Sequence, residues 1–138
     1  MIRRIAHIAI ATDSLAVTSH FYKSRGLELD RVEVVSDQKV KVAVMRIGDS
    51  AIEFIEPTES DSPISTFLSR RGNGLHHISL QVDDLAARLE DLKARDVRLI
   101  DEQPRVGSGG RLISFIHPDS TGGVLIELTQ PAEGETNS

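Results

Sequence analysis

The sequence predicts an α+β fold of two tandem βαβββ modules. Three observations carry that expectation: an internal repeat, alternating strand-like segments, and a helix-forming stretch after the first strand of each half. Residues 7–15 read HIAIATDSL and residues 77–85 read HISLQVDDL, so His7 falls on His77, Asp13 on Asp83 and Leu15 on Leu85. Residues 52–57 read IEFIEP and recur at 126–131 as IELTQP, placing Glu53 on Glu127 and Pro57 on Pro131. A spacing of about 70 residues exceeds that of solenoid repeats and marks a duplicated module.

The first module is expected over 4–58. Residues 5–11 alternate as a strand, and Asp13 is the expected N-cap of a helix running to about Lys23, stopped at Gly26. Strands follow near 31–36, 40–47 and 51–56, with Gly48-Asp49 as the last turn. A linker over 59–74 holds a helix at 62–71, capped by Ser62, opened by Pro63 and closed by Gly72, with Ile64, Phe67 and Leu68 as its apolar face. The second module, 75–131, begins with a strand at 76–82. A helix near 84–95 follows, capped by Asp84, with Leu85, Leu89 and Leu92 on one face. Strands are then expected near 97–101, 111–116 and 123–129, separated by Gly-rich turns at 107–110 and 120–123, and residues 132–138 read as a disordered tail.

Composition narrows the function. The 138 residues are 39% hydrophobic and 27% charged, an ordinary globular balance forming one domain of two similar halves. A net charge of −5 opposes nucleic-acid or anionic-membrane binding, which needs a basic face. The absence of Cys excludes disulfide scaffolds, thiolate metal sites and cysteine nucleophiles. No apolar run approaches the roughly 20 residues of a membrane span, and the Met1–Ala11 segment lacks a cleavage site, so a soluble cytoplasmic protein is expected.

Strand parity then singles out four residues. Side chains alternate faces along a strand, so His7 opposes Ile8 and Ile10, and His77 opposes Ile78, Leu80 and Val82. Glu53 opposes Ile52 and Phe54, and Glu127 opposes Val124, Ile126 and Leu128. One such His or Glu is ordinarily just a solvated strand position. Recurrence of all four in both copies points instead to a shared centre, where two imidazoles and two carboxylates suit Co, Ni, Zn, Mn or Fe. His76 has the opposite parity and reads as structural or supporting; His20 reads as a surface residue.

With these residues in place the chain resembles the vicinal oxygen chelate superfamily, and within it the methylmalonyl-CoA epimerases, over about residues 4–130. The resemblance rests on IAHIAIATDSL with Phe21-Tyr22, VKVAVMRIGDSAIEFIEP at 40–57, and DSPISTFLSRRGNGLHHISLQVDDL at 61–85. It continues in VRLIDEQPRVGSGG at 97–110 and FIHPDSTGGVLIELTQ at 115–130. It implies a curved mixed sheet around a divalent metal ion held by His7, Glu53, His77 and Glu127. The second of these positions is Gln in some epimerases and Glu in others. It further implies an acyl-CoA substrate pocket to which Gln38, Gly109, His117 and Ser120 contribute, and a homodimer. The chain departs from the family pattern at Lys39, where glycine is usual, at Asp119, where lysine is usual, and at Val42, where some epimerases carry a carboxylate.

The implied reaction is interconversion of (R)- and (S)-methylmalonyl-CoA by α-proton abstraction through a metal-stabilised enolate. Two acid/base groups are needed, one for each face of the planar intermediate. Glu127 is the first candidate and Glu53 the second; Glu33 or an activated water is the alternative for the second role, although loss of Glu33 is expected to do little. Rival readings are a glyoxalase I-like lactoylglutathione lyase and a catalytically idle small-molecule-binding module. An extradiol dioxygenase would leave Glu53 as a surplus ligand. A drug-sequestering dimer would want more aromatic residues than one Tyr, four Phe and no Trp.

Overall fold

The computed structural model describes residues 2–135. It contains strands β1 (Ile2–Ala11), β2 (Glu28–Val35), β3 (Val40–Ile47), β4 (Ser50–Pro57), β5 (Gly74–Val82), β6 (Arg105–Val106), β7 (Leu112–Ile116) and β8 (Ile126–Gln130). The helices are α1 (Leu15–Ser24), α2 (Pro63–Arg71) and α3 (Leu85–Ala94). The expected order strand, helix, three strands occurs twice. The chain divides into a first unit, His7–His76, and a second, Met1–Ala6 with His77–Ser138. Strand β1 thus serves both: its early residues belong with β5, and its later ones pair with β4.

In the first unit the strand order is β2-β3-β4-β1. Strands β1 and β4 are parallel, and β2, β3 and β4 form antiparallel ladders closed by the tight Gly48-Asp49 turn. Helix α1 packs Leu15 and Tyr22 against Ile10, Ala43, Met45, Ile52 and Phe54. The opposite sheet face buries Ala9, Ala11, Val40, Val42, Val44, Ala51 and Ile55, and α2 covers part of it with Ile64, Phe67 and Leu68. Both faces of this sheet are therefore apolar over much of their area, which explains why its strands are so densely aliphatic.

In the second unit the order is β5-β8-β7-β6, with β5 and β8 parallel and the other pairs antiparallel. Helix α3 buries the expected Leu85 and Leu89, with Leu92 beside them, against Leu80, Val82, Ile116, Ile126 and Leu128. Arg3 donates to Asp83 at 2.7 Å and Arg4 to Gln81 at 3.1 Å, tying the start of β1 to the end of β5.

The helix ends repeat as well. Glu56 accepts the Leu15 N–H at 3.1 Å, and its repeat partner Gln130 accepts the Leu85 N–H at 2.8 Å. Each last strand thus satisfies a backbone donor that the first helical turn leaves unpaired. Ser62 and Asp84 cap α2 and α3 as expected. At α1 the cap is Ser14, which accepts from Val17 N, while Asp13 instead exchanges hydrogen bonds with Asn73 at 3.0 and 3.2 Å.

Two strand expectations change. Residues 97–101 form only an isolated bridge, Leu99 to Ile116, and the strand that follows α3 is the two-residue β6. The Asp101 side chain takes the Phe115 N–H at 2.9 Å, a donor that a continuing strand would have used, and Pro104 has no N–H to offer a ladder. Strand β8 starts at Ile126 because Gly122 and Gly123 adopt positive φ, leaving Val124 exposed outside the strand. Of the expected tail, Ala132–Glu135 close a turn in which Glu135 pairs with Arg111 at 2.7 Å; residues 136–138 lie outside the described residues.

Candidate functional site

Each unit builds the same constellation from the same register. In the first, parallel pairing sets Ala9 beside Glu53, so His7, two residues earlier, leaves β1 on the Glu53 face. Its Nδ1 lies 3.1 Å from Glu53 Oε2. In the second, pairing sets Ser79 beside Glu127, and His77, again two residues earlier, brings Nε2 to 3.6 Å from Glu127 Oε2. The repeat seen in sequence is therefore a repeat of geometry: parallel strands, one pleat of offset, one imidazole against one carboxylate.

All four side chains are buried, between 5% and 7% exposed. Desolvating a carboxylate costs several kcal/mol unless opposite charge and good hydrogen bonds meet it. Nitrogen and oxygen donors of this kind are those that a borderline divalent ion takes, and its charge would offset two buried carboxylates. The donor set therefore fits such an ion. The His77 ring stands edge-on to Phe115, 5.1 Å between centroids, and Phe115 is the β7 partner of Glu127, so packing fixes both residues from one side.

The remaining sequence candidates sit in loops. Gln38 ends the turn before β3, where its carbonyl accepts from Ser62 at 3.4 Å. Gly109 occupies the turn before β7 at φ 70°, a conformation suited to glycine. His117 caps the turn before β8 through Nδ1, which accepts the Asp119 N–H at 3.0 Å, and Ser120 Oγ accepts the Arg98 N–H at 2.9 Å. His20 is exposed, as expected. His76 stands edge-on to Phe67 at 5.0 Å; burial first, and then the Arg71 charge, lower its pKa to about 4.

The departures from the family pattern have local explanations. Lys39 holds a left-handed conformation, φ 56° and ψ 47°, where the family pattern has glycine, and its ammonium pairs with Asp61. Asp119 pairs with Arg98 at 2.8 Å.

Sequence reasoning missed a difference between the two faces. Beside Glu53 the first unit presents Ala9, Ala11, Val44 and Ile55, whereas beside Glu127 the second presents Phe115 together with buried Ser79, Gln81 and Thr129. The Ser79 and Thr129 hydroxyls have no hydrogen-bond partner among the described residues. The signal was available: on the repeat, Ser79 falls on Ala9 and Gln81 on Ala11.

The fold and the doubled His–Glu pair define a class, and comparison with known proteins agrees. Residues 6–115 match the model of the Glyoxalase/Bleomycin resistance protein/Dioxygenase superfamily. The chain is 42% identical to the uncharacterized protein YqjC of Bacillus subtilis, covering 97% of this chain and 96% of the relative. It is 32% identical to the ethylmalonyl-CoA/methylmalonyl-CoA epimerase of Cereibacter sphaeroides, covering 94% and 99%. A solved methylmalonyl-CoA epimerase, in complex with methylmalonyl-CoA and NH4+, superposes with a TM-score of 0.93 at 36% identity over 99% of both chains. The chain belongs to this superfamily and, within it, to the methylmalonyl-CoA epimerase family. Among the described residues no helix is long and apolar enough to cross a membrane.

Proposed function

We propose that the chain is an epimerase of 2-substituted malonyl-CoA thioesters, interconverting (R)- and (S)-methylmalonyl-CoA. The observation that carries this reading is the full-length likeness to solved epimerases in a chain that keeps a buried His–Glu pair in each module. His7, Glu53, His77 and Glu127 would hold one divalent ion, and the buried group His7, His77 and Glu127 has the composition such an ion takes. When bound, that ion supplies Lewis-acid polarisation of the thioester carbonyl, which acidifies the α-hydrogen.

The protein's own residues do the rest. Glu127 accepts the α-hydrogen as a proton at one face of the carbon and returns it. His77 and Phe115 hold that carboxylate in place. Glu53 completes the donor set beside His7 and stands as a second acid/base candidate. The loops carrying Gln38, Gly109, His117 and Ser120 bound the pocket for the acyl-CoA; in Ser120 and His117 the side chains shape the loop, so backbone groups are the contacts offered. Two copies of the chain are expected to associate as a homodimer.

The test follows the α-hydrogen of methylmalonyl-CoA by NMR in heavy water, with stereochemistry read by a stereospecific mutase. Exchange and inversion, both suppressed by EDTA and both lost in Glu127→Ala by about 100-fold or more, are the expected results. Full activity of Glu127→Ala, or absence of exchange with any of several divalent ions, would refute the reading.

A further inference from the structure

A 2-substituted malonyl thioester carries a carboxylate on its α-carbon, and Glu127, buried in the second unit, is itself an anion. Bringing the two together costs free energy unless a cation stands nearby. The second unit supplies one. Arg105 pairs with Ile113 across β6 and β7, and Ile113 with Thr129 across β7 and β8. Phe115 and Glu127 form the next pair along those two strands on the same side. Paired residues share a face, so Arg105 leaves the sheet on the face that carries Glu127. Its guanidinium carbon lies 5.7 Å from the centre of the Phe115 ring, and that ring stands 5.1 Å from the His77 ring. Arg105, Phe115 and the His77–Glu127 pair are thus successive neighbours on one surface.

The arginine is held from one side. Its Nε lies 3.3 Å from Asp101 Oδ1. Asp101 is itself fixed to β7, where Oδ2 accepts the Phe115 N–H at 2.9 Å and the carbonyl accepts from Ser114 Oγ at 2.6 Å. Just after β6, Gly107 lets the chain lie close on β7, since an added Cβ would stand 2.9 Å from Ile113 Cδ1. Nε faces Asp101 and the guanidinium carbon lies over an aromatic ring, which leaves Nη1 and Nη2. Neither donates a hydrogen bond among the described residues. The side chain is 41% exposed, so a ligand can reach it. Arg98 and Arg111, by contrast, donate to Asp119 and Glu135.

An arginine stacked on an aromatic ring, with two donors left over, suits a carboxylate or a phosphate. An acyl-CoA offers both, and position decides between them. The whole pantetheine arm separates the phosphates from the thioester, whereas the carboxylate is bonded to the carbon that Glu127 deprotonates. We propose that Arg105 binds the free carboxylate of the substrate and so selects 2-carboxyacyl thioesters over simple acyl thioesters. This rests on the epimerase reading above and adds a specificity residue to it.

The experiment titrates cobalt-loaded wild type, Arg105→Met and Arg105→Lys with methylmalonyl-CoA and with propionyl-CoA, which lacks only the carboxylate. Exchange of the methylmalonyl-CoA α-hydrogen in heavy water is followed alongside. The ratio of the two dissociation constants isolates the carboxylate, and a merely structural role would move both constants together. Arg105→Met is expected to shrink wild-type preference for methylmalonyl-CoA by about 10-fold or more while propionyl-CoA binding stays within about twofold. Arg105→Lys keeps the charge but loses the planar fork, and is expected to shrink the preference by roughly threefold or more. It carries the comparison if Arg105→Met does not fold. Equal weakening of both ligands would assign the guanidinium to the CoA phosphates or to the fold, and would overturn the proposal. An unchanged preference would do the same. Either result leaves the epimerase reading intact where wild type exchanges the α-hydrogen. Absence of that exchange from wild type overturns the epimerase reading, and this one with it.

Discussion

Lys39 shows how much a single position can hold. A lysine in the left-handed region costs roughly 1–2 kcal/mol relative to glycine, because its Cβ crowds the following carbonyl. Its ammonium makes an exposed pair with Asp61 and pulls that carboxyl below its ordinary 3.8 through the lysine hydrogen bond. Lys39→Gly should therefore change stability by less than about 1 kcal/mol near neutral pH, since glycine relieves strain but gains unfolded-state freedom. The balance depends on pH in one direction. A carboxyl with a depressed folded pKa stabilises the fold above its unfolded value, and that contribution disappears as pH falls through the folded value. The variant should thus gain relative to wild type as pH drops from about 5 towards 3. Thermal melts across that range in low salt check this, and a relative loss at acid pH would contradict it. None of this was visible in sequence, where Lys39 stood out only as a missing glycine.

At the scale of elements, the sequence carried most of what local pattern and caps can carry. The Leu85, Leu89, Leu92 stripe, the Ser62-Pro63 start of α2 and the Gly48-Asp49 hairpin are all decided by residues close in the chain. Residues 97–101 misled because alternation there is strand-like, whereas the competing hydrogen bond, donated by the Phe115 N–H to the Asp101 carboxylate, spans 14 residues of chain. The parity argument singled out His7, Glu53, His77 and Glu127, which are buried as His–Glu pairs, but it treated the surrounding faces as equivalent. They are not, and the polar face of β5 and β8 yields a prediction. Buried hydroxyls with no protein partner cost about 1–3 kcal/mol in desolvation. Ser79→Ala and Thr129→Val should therefore be neutral or stabilising in the metal-free protein, by up to about 1 kcal/mol each. Chemical denaturation of EDTA-treated protein measures it. A loss above about 1.5 kcal/mol would mean these hydroxyls are satisfied in solution by ordered water.

The chain is one module written twice: each unit pairs a His with a Glu on parallel strands and ties a helix start back to its last strand. The copies differ in the faces around those pairs: buried hydroxyls and an amide at Ser79, Thr129 and Gln81 in the second unit, alanines and Ile55 in the first. A shared ion would make the two copies thermodynamically interdependent, because any ligand bound only by the folded state stabilises it by RT ln(1 + [L]/Kd). At a hundredfold excess over Kd this is about 2.7 kcal/mol, a rise of roughly 9 °C for a chain of this size. Cobalt or zinc added to EDTA-treated protein should produce such a rise, reversed by chelator. His7→Ala and His77→Ala, one from each module, should each abolish most of it, since three donors hold an ion less tightly than four. Glu53→Gln should retain much of the shift, because an amide oxygen still coordinates and the family admits glutamine there. A shift that survives loss of either histidine would show that the ion binds to one module alone, and the pairing of the two half-sites would have to be abandoned.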